Sequence, residues 1–127
     1  MDKFLWVFLA GGLGCGARYL VTLWSVGRFG PDFPHGTLIV NVLGCFLIGL
    51  VSAIAVELAA FPPTLRLALT TGFLGGFTTY STFNFETTRL LEGGAVASAL
   101  INVGLTVLGG FVAGLIGLAL GRLIVST

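Results

Sequence analysis

Hydrophobic residues lie in four long runs along this chain, separated by short segments rich in glycine, proline and charged residues. A run of about 20 apolar residues is what an α-helix needs to cross the hydrocarbon core of a bilayer. The runs predict four membrane-spanning helices, at residues 4–24, 37–56, 65–85 and 95–120. The expected fold is therefore an all-α membrane protein in which residues 1–127 form a single transmembrane domain.

The composition excludes further classes of protein. Hydrophobic residues make up 56% of the 127 residues and charged residues only 9%, whereas a soluble domain has about 25% charged residues. Four spans use roughly 80 residues, which leaves no room for a separate catalytic domain. The formal net charge of +1 provides no basic surface for nucleic acid.

Groups able to do acid–base or nucleophilic chemistry are scarce. The sequence contains no Ser-His-Asp or Cys-His arrangement and no cluster of metal-ligating residues, so we expect that the protein is not an enzyme. All the acidic residues fall in loops or at predicted helix ends, which argues against a transporter that couples to protons through a buried carboxylate. They are Asp2, Asp32, Glu57, Glu86 and Glu92.

Glycine is unusually frequent, with 20 residues in 127, and many glycines are four positions apart. Small residues at this spacing let helix backbones approach closely inside a membrane. We expect tight packing within the bundle and also a packed interface between two copies, because four such helices leave no internal pore. The four-apart pairs are Gly12 and Gly16, Gly72 and Gly76, Gly110 and Gly114, and Gly117 and Gly121.

The positive residues are balanced between the two ends of the predicted spans, so the positive-inside rule gives no preferred orientation. Two explanations remain open: a weak bias hidden by the span boundaries, or copies that insert in both orientations and pair antiparallel. The two sets are Lys3, Arg66 and Arg122 on one side and Arg18, Arg28 and Arg89 on the other.

The third span carries a polar patch that simple packing does not explain. Five consecutive hydroxyl residues, 78–82, follow Gly75 and Gly76 closely. One threonine in a membrane helix usually bonds its own backbone, but five in a row beside two glycines indicate a helix broken at mid-membrane. Backbone groups freed there must be buried in protein, line a cavity or bind an ion.

Aromatic and amide side chains surround the expected break. Tyr80 and Phe83 are three apart and share a face, and aromatic rings have a positive edge. Asn41 lies near the start of the second span, and Asn102 and Thr106 share one face of the fourth. These donors suit a small, strongly hydrated anion, although core packing is the alternative explanation for the aromatic pair.

Residues 72–86, GFLGGFTTYSTFNFE, resemble the signature G-x-x-G-G-x-T-T-F-S-T-F of the Fluc (CrcB) family of fluoride channels. The segments GGLG at 11–14, followed by Arg18, and GTLIVNVLG at 36–44 support the resemblance, which covers the whole chain. The resemblance implies a fluoride-selective channel that exports fluoride passively and so lowers its toxicity in the cytoplasm.

The resemblance also implies an antiparallel, dual-topology homodimer in the lipid of the cell (inner) membrane. A central sodium ion would be held by the backbone carbonyls of Gly75 and Thr78 in the broken third helices, and Arg18 would lie in a vestibule. The fluoride pathway would include Asn41, Tyr80, Ser81, Thr82, Phe83, Asn102 and Thr106.

The sequence departs from the family pattern at two places. Tyr80 stands where the family usually has phenylalanine, and Asn102 and Thr106 stand where relatives have tyrosine and serine. Two other classes of protein remain as alternatives. A small four-helix multidrug or cation exporter needs a carboxylate within the membrane, which residues 4–24 lack. A structural subunit of a membrane complex would explain the glycines but not the polar break.

Overall fold

The computed structural model describes residues 2–58 and 60–126, and within these ranges every regular element is helical. The prediction of an all-α fold with four helical regions is confirmed for this part of the chain; residues 1, 59 and 127 of the predicted domain lie outside it. The first helix is Asp2–Phe29 and the second is His35–Glu57. The third region begins with Pro63–Leu67 and ends with Tyr80–Glu92, and the fourth helix is Val96–Ser126.

The connections follow from the turn residues in the sequence. Gly30 ends the first helix with a positive φ of 82° and bonds back to the Val26 carbonyl at 2.9 Å, a conformation that glycine adopts without strain. Pro34 precedes the second helix and accepts a bond from the Leu38 amide at 3.1 Å. Gly94, with φ 79°, follows the C-cap Gly93 of the third region, and its amide bonds the Leu91 carbonyl at 3.0 Å.

Among residues 2–58 and 60–126, three of the four helical regions are long and apolar enough to cross a membrane: Asp2–Phe29, His35–Glu57 and Val96–Ser126. The third region does not qualify as one uninterrupted helix because it consists of two halves. Its first half continues from Pro63–Leu67 through wider π-helical turns at Ala68–Leu74 to Gly75–Phe77, and its second half is Tyr80–Glu92. Neither half alone has the length that a spanning helix needs.

The two halves are joined by two residues of extended backbone. Thr78 has φ −89° and ψ 159°, and Thr79 has φ −153° and ψ 117°. The interruption thus falls within the hydroxyl run, while Gly75 and Gly76 beside it are helical. Threonine favours this location because it is β-branched, which suits extended backbone, and because its hydroxyl can cap the following helix.

Glycines allow close packing between two pairs of helical regions. The second helix packs against the C-terminal part of the fourth, where a Cβ on Gly117 would overlap the Phe46 carbonyl oxygen. The first helix packs against the first half of the third region, where a Cβ on Gly76 would overlap the Gly11 carbonyl oxygen. The expected tight packing is therefore present at these sites, whereas Gly12 and Gly16 face open space in the described chain.

Candidate functional site

An open cavity of about 780 Å³ lies beside the interruption, between the second helix, both halves of the third region and the fourth helix. Six of the residues that the sequence assigned to ion contacts line it: Asn41, Gly75, Thr78, Tyr80, Phe83 and Thr106. Arg18, Ser81, Thr82 and Asn102 are not in its lining. The remaining walls are mostly glycine and aliphatic residues, so the cavity is an apolar surface with a few polar groups.

Asn41 holds the interruption through both ends of its side-chain amide. Its Nδ2 donates to the Thr79 carbonyl at 2.9 Å, and its Oδ1 accepts from the Thr79 amide at 2.8 Å. These backbone groups lie outside the helices, and a polar group buried without a partner would be unfavourable. The sequence predicted Asn41 as a pathway residue, and the structure adds this contact with the backbone of the interruption.

Arg18 reaches the other end of the interruption. Its Nε donates to the Gly76 carbonyl at 3.0 Å, and its Nη2 lies 3.5 Å from the Cys15 sulfur. The Gly76 carbonyl belongs to the last turn of the first half, where carbonyls lack donors within the helix and a cation is favourable. The guanidinium therefore caps this half-helix, from a position half-buried between the first helix and the third region.

Thr79 begins the second half as its N-cap. Its hydroxyl oxygen accepts from the Thr82 amide at 3.2 Å and donates to the Thr82 hydroxyl at 3.0 Å, while the Ser81 hydroxyl lies at 3.4 Å. Ser81 and Thr82, both predicted as pathway hydroxyls, are thus engaged with Thr79 in the described chain. The three hydroxyls form one connected group at the start of this helix.

The bonds of Asn41 and Thr79 take two amides away from the carbonyls that the resemblance assigned to sodium. In a continuous helix the Thr79 amide would bond the Gly75 carbonyl, and the Thr82 amide would bond the Thr78 carbonyl. Here the first amide is bound to Asn41 and the second to the Thr79 hydroxyl. Carbonyl oxygens are the ligands that hard cations prefer, so the oxygens of Gly75 and Thr78 fit the expected ion.

Tyr80 and Phe83 form the aromatic pair that their spacing predicted. The ring centroids are 5.9 Å apart and the ring planes are inclined at 57°. Their exposure differs, because Tyr80 is 79% exposed while Phe83 is 8% exposed and packed inside the protomer. Both residues line the open cavity, and Tyr80 is the exposed member of the pair.

Asn102 and Thr106 lie where their spacing placed them, on one face of the fourth helix, but their surroundings differ. Asn102 is 1% exposed and its Nδ2 donates to the Thr87 hydroxyl at 2.9 Å. Within the described residues, the buried Asn102 Oδ1 and Thr106 Oγ1 have no hydrogen-bond partner. Buried polar atoms of this kind mark places where an ion, a water molecule or a second chain completes the bonding.

Thr87 was not singled out from the sequence, although it links two predicted elements. Its hydroxyl accepts from Asn102 and donates to the Phe83 carbonyl at 2.7 Å. The bond to Phe83, four residues earlier, is the usual local bond of a helical threonine. Its position one turn after Phe83 was the available signal, but only the fold brings Asn102 to the same point.

Comparison with known proteins gives the family of this chain. Residues 5–118 match the family described as CrcB-like protein, Camphor Resistance (CrcB). The chain belongs to the CrcB family. With its apolar helices, this CrcB-family protein is a multi-pass membrane protein.

Several curated relatives, each named fluoride-specific ion channel FluC, are similar to the CrcB-family chain over most of its length. The relative from Sorangium cellulosum is 44% identical over 126 residues, 99% of each chain. The relative from Acidobacterium capsulatum is 43% identical over 124 residues, 98% of this chain and 99% of its own. The relative from Citrifermentans bemidjiense is 53% identical over 103 residues, 81% of this chain and 83% of its own.

Proposed function

We propose that this CrcB-family protein is a fluoride-selective channel, not an enzyme, through which fluoride leaves the cell passively so that its toxic cytoplasmic concentration falls. The observation that carries the proposal is the whole-length similarity to relatives named fluoride-specific ion channel. The resemblance in residues 72–86 agrees with it, because the polar interruption lies in the same segment.

The channel is formed by two copies that pair antiparallel in the inner cell membrane, with the interruption at mid-membrane depth. Support comes from the cavity of about 780 Å³, which is open at the protomer surface and is lined by predicted pathway residues. A second copy seated there would close a dry route. The balanced positive residues fit insertion in both orientations.

Fluoride holds its hydration shell strongly, so a dry route must replace that shell with donors and positive ring edges. The rings of Tyr80 and Phe83 meet this need at the cavity wall, and Thr106 also lines the cavity, with its unpartnered hydroxyl buried behind the surface. Asn41 retains a second Nδ2 hydrogen beyond the one bound to Thr79. We assign Ser81, Thr82 and Asn102 to the same pathway and Arg18 to its vestibule.

The carbonyls of Gly75 and Thr78 would hold a sodium ion at the centre of the dimer. When bound, a cation there supplies positive field beside the pathway and joins the two interrupted segments. The chain's own contribution is to present carbonyls without their helical donors, which the bonds of Asn41 and Thr79 achieve.

The test is anion efflux from liposomes that contain only this protein, with fluoride compared with chloride. We expect rapid fluoride efflux and chloride efflux close to that of empty liposomes. Chloride release as fast as fluoride release would refute the proposal. Fluoride transport by the purified protein alone would also exclude a subunit that only packs into a larger complex.

The pathway assignment has its own test. Asn41→Ala and Phe83→Ile should each lower fluoride flux, because one removes a donor and the other removes a ring edge. Both variants should still assemble as dimers by size-exclusion chromatography with light scattering. Flux equal to that of the wild type in both would contradict the assignment of these residues.

A further inference from the structure

The interruption contains two amides that side chains divert away from the helical hydrogen-bond pattern. The Thr79 amide bonds the Oδ1 of Asn41 at 2.8 Å, and the Thr82 amide bonds the hydroxyl of Thr79 at 3.2 Å. Four residues before these amides lie the carbonyls of Gly75 and Thr78, which would be their acceptors in a continuous α-helix. Each diversion therefore leaves one of the two carbonyls without its helical donor.

We propose that Asn41 and Thr79 are positioning residues for the cation site: each binds a backbone amide so that the carbonyl four residues earlier points free. This inference rests on the proposed function for the presence of the cation. It assigns to these side chains a task distinct from contact with the anion, since neither acts on the cation directly.

The geometry gives the two side chains separate tasks. Asn41 comes from the second helix, 38 positions away in sequence, and its amide bonds both polar groups of the Thr79 backbone. It therefore fixes the extended conformation of Thr79 as well as its amide. Thr79 acts locally, as the N-cap of Tyr80–Glu92. Without the Asn41 oxygen or the Thr79 hydroxyl, the amide that it binds needs another acceptor, and the carbonyl four residues earlier is the one that a continuous helix would supply.

A bond from an amide would occupy one lone pair of the carbonyl and place a partial positive charge beside the ion. Residues that orient metal ligands typically change metal affinity by about 10-fold to 100-fold when they are replaced. We expect Thr79→Val, which keeps the shape but loses the hydroxyl, to weaken the apparent affinity for sodium at least about tenfold. Thr79→Ser keeps the hydroxyl and should restore affinity.

The measurement is the thermal unfolding midpoint of the purified protein as a function of sodium concentration, with N-methylglucamine chloride keeping ionic strength constant. Binding to the folded state raises the midpoint in a concentration-dependent manner, so the titration reports affinity without any flux measurement. Thr88→Val is the matched control, because the exposed Thr88 hydroxyl donates to the Asn84 carbonyl on the same helix. It should leave the sodium dependence unchanged.

Asn41 supplies an independent variant if Thr79→Val does not fold. Asn41→Leu keeps the size of the side chain but loses both bonds to the Thr79 backbone. We expect its sodium affinity to fall at least about tenfold relative to the wild type. Wild-type affinity in Asn41→Leu, or equal affinities in Thr79→Val and Thr79→Ser, would overturn the inference.

The outcomes separate this inference from the proposed channel activity. If wild-type protein is stabilised by sodium but does not conduct fluoride, the channel proposal fails while the affinities still decide the role of Asn41 and Thr79. If the wild-type protein conducts fluoride but its unfolding midpoint does not respond specifically to sodium, the channel proposal stands. The inference is then overturned, because the protein has no sodium site for Asn41 and Thr79 to position.

Discussion

Gly117 offers a direct test of the packing between the second and fourth helices. An added Cβ would overlap the Phe46 carbonyl oxygen and would lie 3.0 Å from both the Phe46 carbonyl carbon and the Leu50 amide nitrogen. Ordinary contacts begin at 3.4 Å, and all three of these atoms are backbone atoms that no side-chain rotation can move. Gly117→Ala therefore requires the two helices to separate.

The expected loss follows from that separation. Moving the helices apart by roughly 1 Å forfeits about a quarter to a half of the dispersion energy of each contacting atom pair. Overpacking of this kind costs about 1–3 kcal/mol, and the better helix propensity of alanine offsets at most about 1 kcal/mol. We expect a net loss of about 1–2 kcal/mol, which lowers the unfolding midpoint by roughly 5–10 °C.

The assay is thermal unfolding in detergent micelles, followed by circular dichroism. Gly104→Ala is the matched control, because Gly104 lies on the same fourth helix and an added Cβ there meets nothing within 4 Å. Its midpoint should stay the same or rise slightly, since alanine favours helix. Equal shifts in Gly117→Ala and Gly104→Ala would refute the argument from backbone contact.

The other predictions concern side chains around the cavity. Thr106→Val should lower fluoride flux with little change in the unfolding midpoint, because it removes a buried hydroxyl that has no partner within the described residues; unchanged flux would exclude contact with the anion. Thr87→Val should reduce unfolding stability by about 1–3 kcal/mol, because it leaves the buried Asn102 amide without its acceptor; calorimetry or chemical denaturation would measure this. Arg18→Met should lower stability by about 1 kcal/mol through loss of the bond to the Gly76 carbonyl, whereas Arg28→Met, at an exposed position on the same helix, should not.

The sequence was sufficient to predict the helical regions and the existence of a polar interruption, because apolar length and a run of hydroxyl residues are local signals. It also predicted that Tyr80 and Phe83 share a face, since helical spacing determines this. The exact position of the interruption was harder to predict from the sequence. Gly75 and Gly76 are helical in the structure, because glycine permits an unusual backbone but does not require one.

The contacts of the polar side chains could not be predicted, because their partners are distant in sequence. Asn41 bonds Thr79 only because the second helix passes the interruption, and Arg18 reaches Gly76 from the first helix. Similarly, spacing alone did not distinguish Gly12 and Gly16, which face open space, from glycines that touch a neighbouring backbone. A four-residue period specifies a helix face but not what lies opposite it.

The order of the chain has a consequence for biogenesis. Arg18 and Asn41, which satisfy backbone groups on either side of the interruption, both precede it in sequence. During vectorial synthesis the ribosome therefore delivers the hydrogen-bonding partners before the segment that depends on them. The third region enters a bilayer that already contains the first and second helices. Its integration is therefore expected to be guided by these two helices rather than by its own hydrophobicity.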